Sequence, residues 1–141
     1  MPPDAARPSS LGKFAMKNEP ISKLMQVHTK TIAADDSIAA IEAFLKREGL
    51  SWAPVLGDAD ELMGVISDAD LVRFHIDQRD PATTAAWQLC TYRPITVTPN
   101  TAVGDVARLM VEHRIHHVVV TEGGAIRGVV SALDFVKTFV A

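Results

Sequence analysis

This sequence predicts an α+β fold made of two copies of one strand–helix–strand–strand–helix unit, on three observations. The phrase GVISDADL at residues 64–71 returns as GVVSALDF at residues 128–135. Sliding the chain along itself sets residues 23–55 on residues 88–120, so that Leu24 meets Leu89, Ile32 meets Val97, Ile38 meets Val103, Ile41 meets Val106 and Leu50 meets Ile115. In both copies the apolar spacing changes in the same order, from short strand to helix to hairpin to helix.

Each element has a local reason. TKTIAA and PITVTP read as short strands. Asp36 and Thr101 stand where an N-cap is expected, ahead of Ile38, Ile41, Phe44 and Leu45 in one copy and Val103, Val106, Leu109 and Met110 in the other. Gly49 occupies the favoured place for closing the first of these helices. WAPVLGDADELMGVIS and HHVVVTEGGAIRGVVS are apolar runs broken by turn residues, hence hairpins. The first is one residue longer in its loop, where insertions are tolerated. Ser67 and Ser131 then open the helices DADLVRFHI and ALDFVKTFV. The reading is an N-terminal extension over 1–20, a first repeat over 21–78 and a second over 79–141, with a polar linker at about 77–84. Phe14 and Met16 are the extension's candidates for docking on the body.

Composition narrows the function. Of the 141 residues 48% are hydrophobic and 22% charged, the balance of an ordinary globular protein. A net charge of −3 argues against a nucleic-acid binder, which carries a basic face. No apolar run has the length of a membrane span, and the start of the chain lacks the apolar stretch of a signal peptide. Cys90 is the single cysteine, so no disulfide framework exists and a reducing, cytoplasmic setting is expected. It aligns with Met25 on an apolar helix and reads as a small buried hydrophobe.

The repeated phrase is the candidate site. A serine that ends a strand and opens a helix lies beside the first unpaired N–H groups, a favourable place for phosphate. An aspartate three residues on offers two oxygens to the two hydroxyls of a ribose. Ser67, Asp70, Ser131 and Asp134 are therefore candidate ligand residues, and Gly64 and Gly128 permit a close backbone approach at the start of the strand. The same spacing is that of a capping box, in which serine and acid serve only the helix. His113, His116 and His117 raise the question of a metal, but adjacent strand residues point to opposite faces and no metal site is expected from them. Trp52 is read either as a purine-stacking side chain or as packing, and Asp58, Asp60 and Glu61 as solvated turn acids. No nucleophile, base and orienting group recur at a usable spacing, so no catalytic residue and no enzymatic activity are expected.

The unit order, the GVISDAD and GVVSALD junctions, the APV of residues 53–55 and the RIHHVVV of residues 114–120 together resemble cystathionine-β-synthase (CBS) domains, and two in tandem resemble a CBS pair, or Bateman module. The resemblance runs from Ile21 to Ala141. It implies two repeats packed about a pseudo-twofold axis, with clefts that take adenosine ligands such as AMP, ADP, ATP or S-adenosylmethionine as regulatory ligands rather than cofactors. It also implies assembly into a homodimer and a regulatory role exerted on a separate, unidentified protein. On the family motif, Ser67 and Ser131 meet phosphate or ribose, and Asp70 and Asp134 hold ribose. His116 falls on a phosphate-contacting histidine and His117 on an arginine, while Val119 replaces a proline; the first copy has Ser51 and Trp52 instead of the basic pair, so the two sites are expected to differ. The competing readings are a ligand-free dimerisation module and a metal-responsive sensor. A homodimer would use the small apolar faces in SIAAIEAF and VARLM.

Overall fold

The computed structural model describes residues 14–27 and 29–139. Two copies of the expected unit are present. In the first, β1 (Ile32–Ala33) leads to α1 (Ile38–Glu48), the hairpin β2 (Trp52–Leu56) and β3 (Leu62–Ser67), and α2 (Asp68–Ile76). The short helix α3 (Ala86–Leu89) and strand β4 (Thr91–Tyr92) follow. In the second, β5 (Thr96–Val97) leads to α4 (Val103–His113), the hairpin β6 (His117–Glu122) and β7 (Ala125–Ser131), and α5 (Ala132–Phe139).

One sheet runs β1-β2-β3-β4 and the other β5-β6-β7. The short strands β1 and β5 join their neighbours in parallel, Ile32 opposite Val55 and Val97 opposite Val120, because a helix carries the chain back between them. β2 and β3 are antiparallel, with Trp52 opposite Ser67 and Val55 opposite Gly64.

The helices α1 and α4 begin one residue later than Asp36 and Thr101 suggest. Ser37 is the N-cap of α1, its hydroxyl accepting from the Ala40 N–H at 3.1 Å, while Ala102 starts α4 with no side-chain cap. Asp36 instead accepts from the Ala33 N–H at 3.0 Å and Thr101 from the Thr98 N–H at 3.2 Å, so both close the turn before the helix. Side chains of this kind bond local backbone more readily than they extend a helix. Gly49 ends α1 with φ 67°, as its position predicts; Arg114 takes the same left-handed conformation after α4 at φ 54°.

By contacts the chain divides into two compact units that cut across the repeats. Among the described residues, one comprises 29–94 with 123–126; the other comprises 14–27, 95–122 and 127–139. In the first unit, Ala86 and Cys90 of the segment after α2 join a core of Ile32, Ile38, Ile41, Val55, Ile66 and Phe74. In the second, Ile21 of the N-terminal segment joins Val103, Val106, Val118, Val120, Val130 and Phe135.

The joining segments also finish the helices. The first amide of α1, on Ile38, donates to the Thr84 carbonyl at 2.9 Å, and that of α4, on Val103, donates to the Glu19 carbonyl at 2.8 Å. Exposed helix starts would leave these donors to water; here neighbouring backbone takes them. Within the N-terminal extension, Phe14 packs against the second core and meets the Phe139 ring edge-on at 5.5 Å, so this part of the extension is docked. The remainder of the expected extension, residues 1–13, lies outside the described residues. Among the described residues no helix is long and apolar enough to cross a membrane.

Candidate functional site

At each junction the last strand residue is a serine in extended conformation, and the helix begins at once. Ser67, with φ −119° and ψ 166°, is the N-cap of α2. Its hydroxyl accepts from the Asp70 N–H at 3.4 Å. Oδ2 of Asp70 accepts from the Ser67 N–H at 2.9 Å and from its hydroxyl at 3.1 Å, which completes a reciprocal capping box. The second junction repeats the pattern. Oδ2 of Asp134 accepts from the Ser131 N–H at 2.8 Å, and the Asp134 N–H donates to the Ser131 hydroxyl at 3.3 Å. The first amide of each helix is held by the loop ahead of the hairpin: the Asp68 N–H donates to the Ser51 carbonyl and the Ala132 N–H to the His116 carbonyl, both at 2.8 Å.

Both aspartates are buried, Asp70 at 8% exposure and Asp134 at 7%. A buried carboxylate needs compensation, and the two copies find it differently. Oδ1 of Asp70 accepts from Arg73, one turn along its own helix, at 2.5 Å. Oδ1 of Asp134 accepts from the side-chain amide of Gln26 at 3.0 Å, a partner from the N-terminal segment. In each carboxylate, then, one oxygen serves the cap and the other faces a polar side chain.

The two helix starts also differ in charge. Asp68 lies exposed at the start of α2, and its Oδ1 takes the Ala69 N–H at 2.8 Å. Ala132 stands at the same place in α5, so that start carries one acid fewer. His116 is exposed at the end whose carbonyl holds Ala132, while His117 is half-buried as the first residue of β6. The acid of the first junction is offset by Arg73 on Asp70, whereas the second junction has neither that acid nor that cation.

Gly64 and Gly128 have a close neighbour already. A Cβ on Gly64 would lie 2.4 Å from the Thr91 carbonyl oxygen and 2.9 Å from Cys90 Sγ; one on Gly128 would lie 2.7 Å from the Gln26 carbonyl oxygen and 2.9 Å from Met25 Sδ. The chain segment that passes over each strand is what these glycines admit. Gln26 bridges Val129 through bonds of 2.8 and 3.0 Å, in the place that β4 takes beside β3, where Thr91 pairs with Val65.

Trp52 is half-buried opposite Ser67. In the first hairpin loop the Ala59 N–H donates to Glu61 and Asp60 turns at φ 61°. Cys90 is buried beside Gly64, and burial pushes its thiol above the ordinary value. Among the described residues no three His, Cys, Asp or Glu side chains converge as metal ligands would. Sequence reasoning missed Arg73 and Gln26. Arg73 was within reach, since it stands at helical spacing from Asp70; Gln26 comes from far along the chain and left no pattern.

Comparison with known proteins agrees with this architecture. The CBS domain profile matches the chain twice, over residues 21–77 and 86–141. An uncharacterised protein of Methanocaldococcus jannaschii is 30% identical over 125 residues, which cover 88% of this chain and 44% of that protein. The chain thus spans less than half the length of that relative. A conserved protein of Pyrococcus horikoshii of solved structure shares the fold with a TM-score of 0.80 at 24% identity, over 89% of this chain and 95% of that one. The structure of CBSX2 in complex with AMP gives a TM-score of 0.74 at 22% identity, over 84% of this chain and 94% of that one.

Proposed function

We propose, for a chain that belongs to the CBS-domain family and carries the domain twice, that it is a ligand-sensing regulatory module. It takes an adenosine nucleotide (AMP, ADP, ATP or S-adenosylmethionine) at its Ser-x-x-Asp junctions and passes the bound state to a partner protein. The observation that carries this reading is the second junction. There a buried carboxylate at the N-terminus of α5 has one oxygen fixed in the cap and the other bonded to the exposed side chain of Gln26. A ribose diol is the kind of donor that replaces such a partner, and the adjoining helix end, with exposed His116, suits phosphate. That CBSX2 has been solved with AMP supports the choice of ligand class.

Calorimetric titration and thermal denaturation with AMP, ADP, ATP and S-adenosylmethionine, and with divalent metals, test the reading. A ligand at a hundred times its dissociation constant raises stability by about 2.7 kcal/mol. A flat response to all four adenosine ligands would reject it.

One observation favours a second reading, a ligand-free dimerisation module. Both oxygens of each carboxylate already have partners within the chain, so no ligand is needed to satisfy them. Either reading includes a homodimer. In SIAAIEAF, Ala39, Ala40 and Ala43 lie exposed on α1, a surface of small side chains that another helix can approach closely; in VARLM, Val106 and Met110 are instead buried in the core, and the exposed apolar residue of α4 is Val111 just beyond it. Light scattering at micromolar concentration decides this point, and a monomer would rule out the dimer.

A further inference from the structure

The two junctions are built alike and latched differently. In the first, Arg73 of the same helix holds the free oxygen of Asp70. In the second, Gln26 holds that of Asp134, and Gln26 belongs to the segment that bridges Val129 over Gly128. The residue that takes the place of Gln26 over the first repeat is Thr91, opposite Val65 in β4. Its side chain is shorter by two atoms and ends in a hydroxyl, so the segment over β3 offers no comparable amide. Gln26 is exposed, whereas the carboxylate it reaches is buried.

We infer that Gln26 is a built-in competitor for the second site: its amide occupies the aspartate oxygen that a ribose hydroxyl would take, and a diol ligand binds there only by displacing it. This rests on the nucleotide reading above and adds to it the control of one site by the N-terminal segment. Displacement costs the ligand the bond that Gln26 makes. Arg73 presents the other site with a charged competitor on its own helix, so the two sites fill at different ligand concentrations, set by different residues. The N-terminal segment also carries Ile21 into the core, so it is at once structural and in contact with the site.

The test uses the full chain with Asp70→Asn, which leaves the second site as the one under study, and adds Gln26→Leu or Gln26→Lys. Each protein is titrated calorimetrically with AMP and with adenosine, which lacks the phosphate that a lysine would attract. Leucine fills the space without a donor, so affinity for both probes rises about three- to tenfold. Lysine supplies a charged donor, a stronger competitor, so affinity for adenosine falls by a similar factor. A purely structural role for Gln26 would lower affinity in both variants. If the Asp70→Asn chain binds AMP and neither variant changes its affinity, the competitor role is overturned while the nucleotide reading stands. If no protein in the set binds either probe the competitor role is overturned, and the nucleotide reading falls with it when the unaltered chain also binds neither.

Discussion

Replacing Ile21 by alanine measures whether the N-terminal segment is part of the second core. Ile21 has 0% exposure and packs in the cluster with Val103, Val106 and Phe135. Its own amide donates to the Thr101 carbonyl at 2.8 Å, so backbone as well as side chain is fixed there. Truncation to alanine removes three carbons, which at about 0.8 kcal/mol each amounts to about 2.4 kcal/mol of lost burial. The surrounding valines sit on sheet and helix and cannot close the space fully, so a cavity term brings the expected loss to about 3–4 kcal/mol. For a chain of this length that is a fall of about 10 °C in Tm. Urea denaturation followed by circular dichroism gives the number directly. Exposed Ser22, changed to alanine, is the control and stays within about 0.5 kcal/mol. A loss below about 1 kcal/mol for Ile21→Ala, with an unchanged urea slope, would refute the claim that the segment completes this core.

Four further outcomes are expected. Asp70→Asn and Asp134→Asn each lower stability by about 0.5–1 kcal/mol through the cap, and each lowers AMP affinity at its own junction about ten- to a hundredfold if the carboxylate holds ribose; equal, unaltered affinity in calorimetry would leave them as caps alone. Gly64→Ala destabilises by about 3 kcal/mol and more than Gly128→Ala, because its Cβ would fall 2.4 Å rather than 2.7 Å from a backbone oxygen; a neutral Gly64→Ala in thermal melts would contradict the close crossing. Cys90 reacts slowly with a thiol reagent at pH 8 and at the ordinary rate in denaturant, since burial raises its thiol. Its folded-state value lies above the unfolded one, so this contribution to stability is complete below the ordinary thiol range, about 8.5, and is lost as pH rises through the raised value. Replacing His116 and His117 together by glutamine lowers the affinity for AMP more than that for adenosine, which lacks the phosphate; equal affinities before and after in calorimetry would remove both as phosphate contacts.

The repeat, the order of elements and both junctions were legible because each is a local pattern: periodicity switches, turn residues, and a serine with an acid three residues on. The helix starts were read one residue early because Asp36 and Thr101 have the right chemistry for a cap and spend it on the preceding turn. The helix expected around Cys90 ends at Leu89, and the strand Thr91–Tyr92 that follows it was not read from sequence; it forms because Cys90 and Gly64 fit one another in a core. That is a tertiary fact and leaves little trace in a short window. The same holds for Gln26, whose partner Asp134 follows more than a hundred residues later. The two aspartates could be found from sequence; what holds their second oxygen could not.

The division of the chain into units has a consequence for the order in which it folds. Apart from residues 123–126, the first unit is one continuous stretch, 29–94, and its Ala86 and Cys90 follow soon after the strands they cover. The other unit must bring residues 14–27 back to residues 95–122 and 127–139, closing a loop that contains residues 29–94 of the first. Loop closure of that length costs entropy before any contact repays it. On a ribosome, where chain emerges from the N-terminal end, Ile21 is made early and waits for Val103 and Phe135 while the intervening unit assembles. For that interval the N-terminal segment, with its short helical turn Ile21–Lys23, holds an apolar side chain whose destination is not yet synthesised, and its capture by α4 and β7 closes the fold.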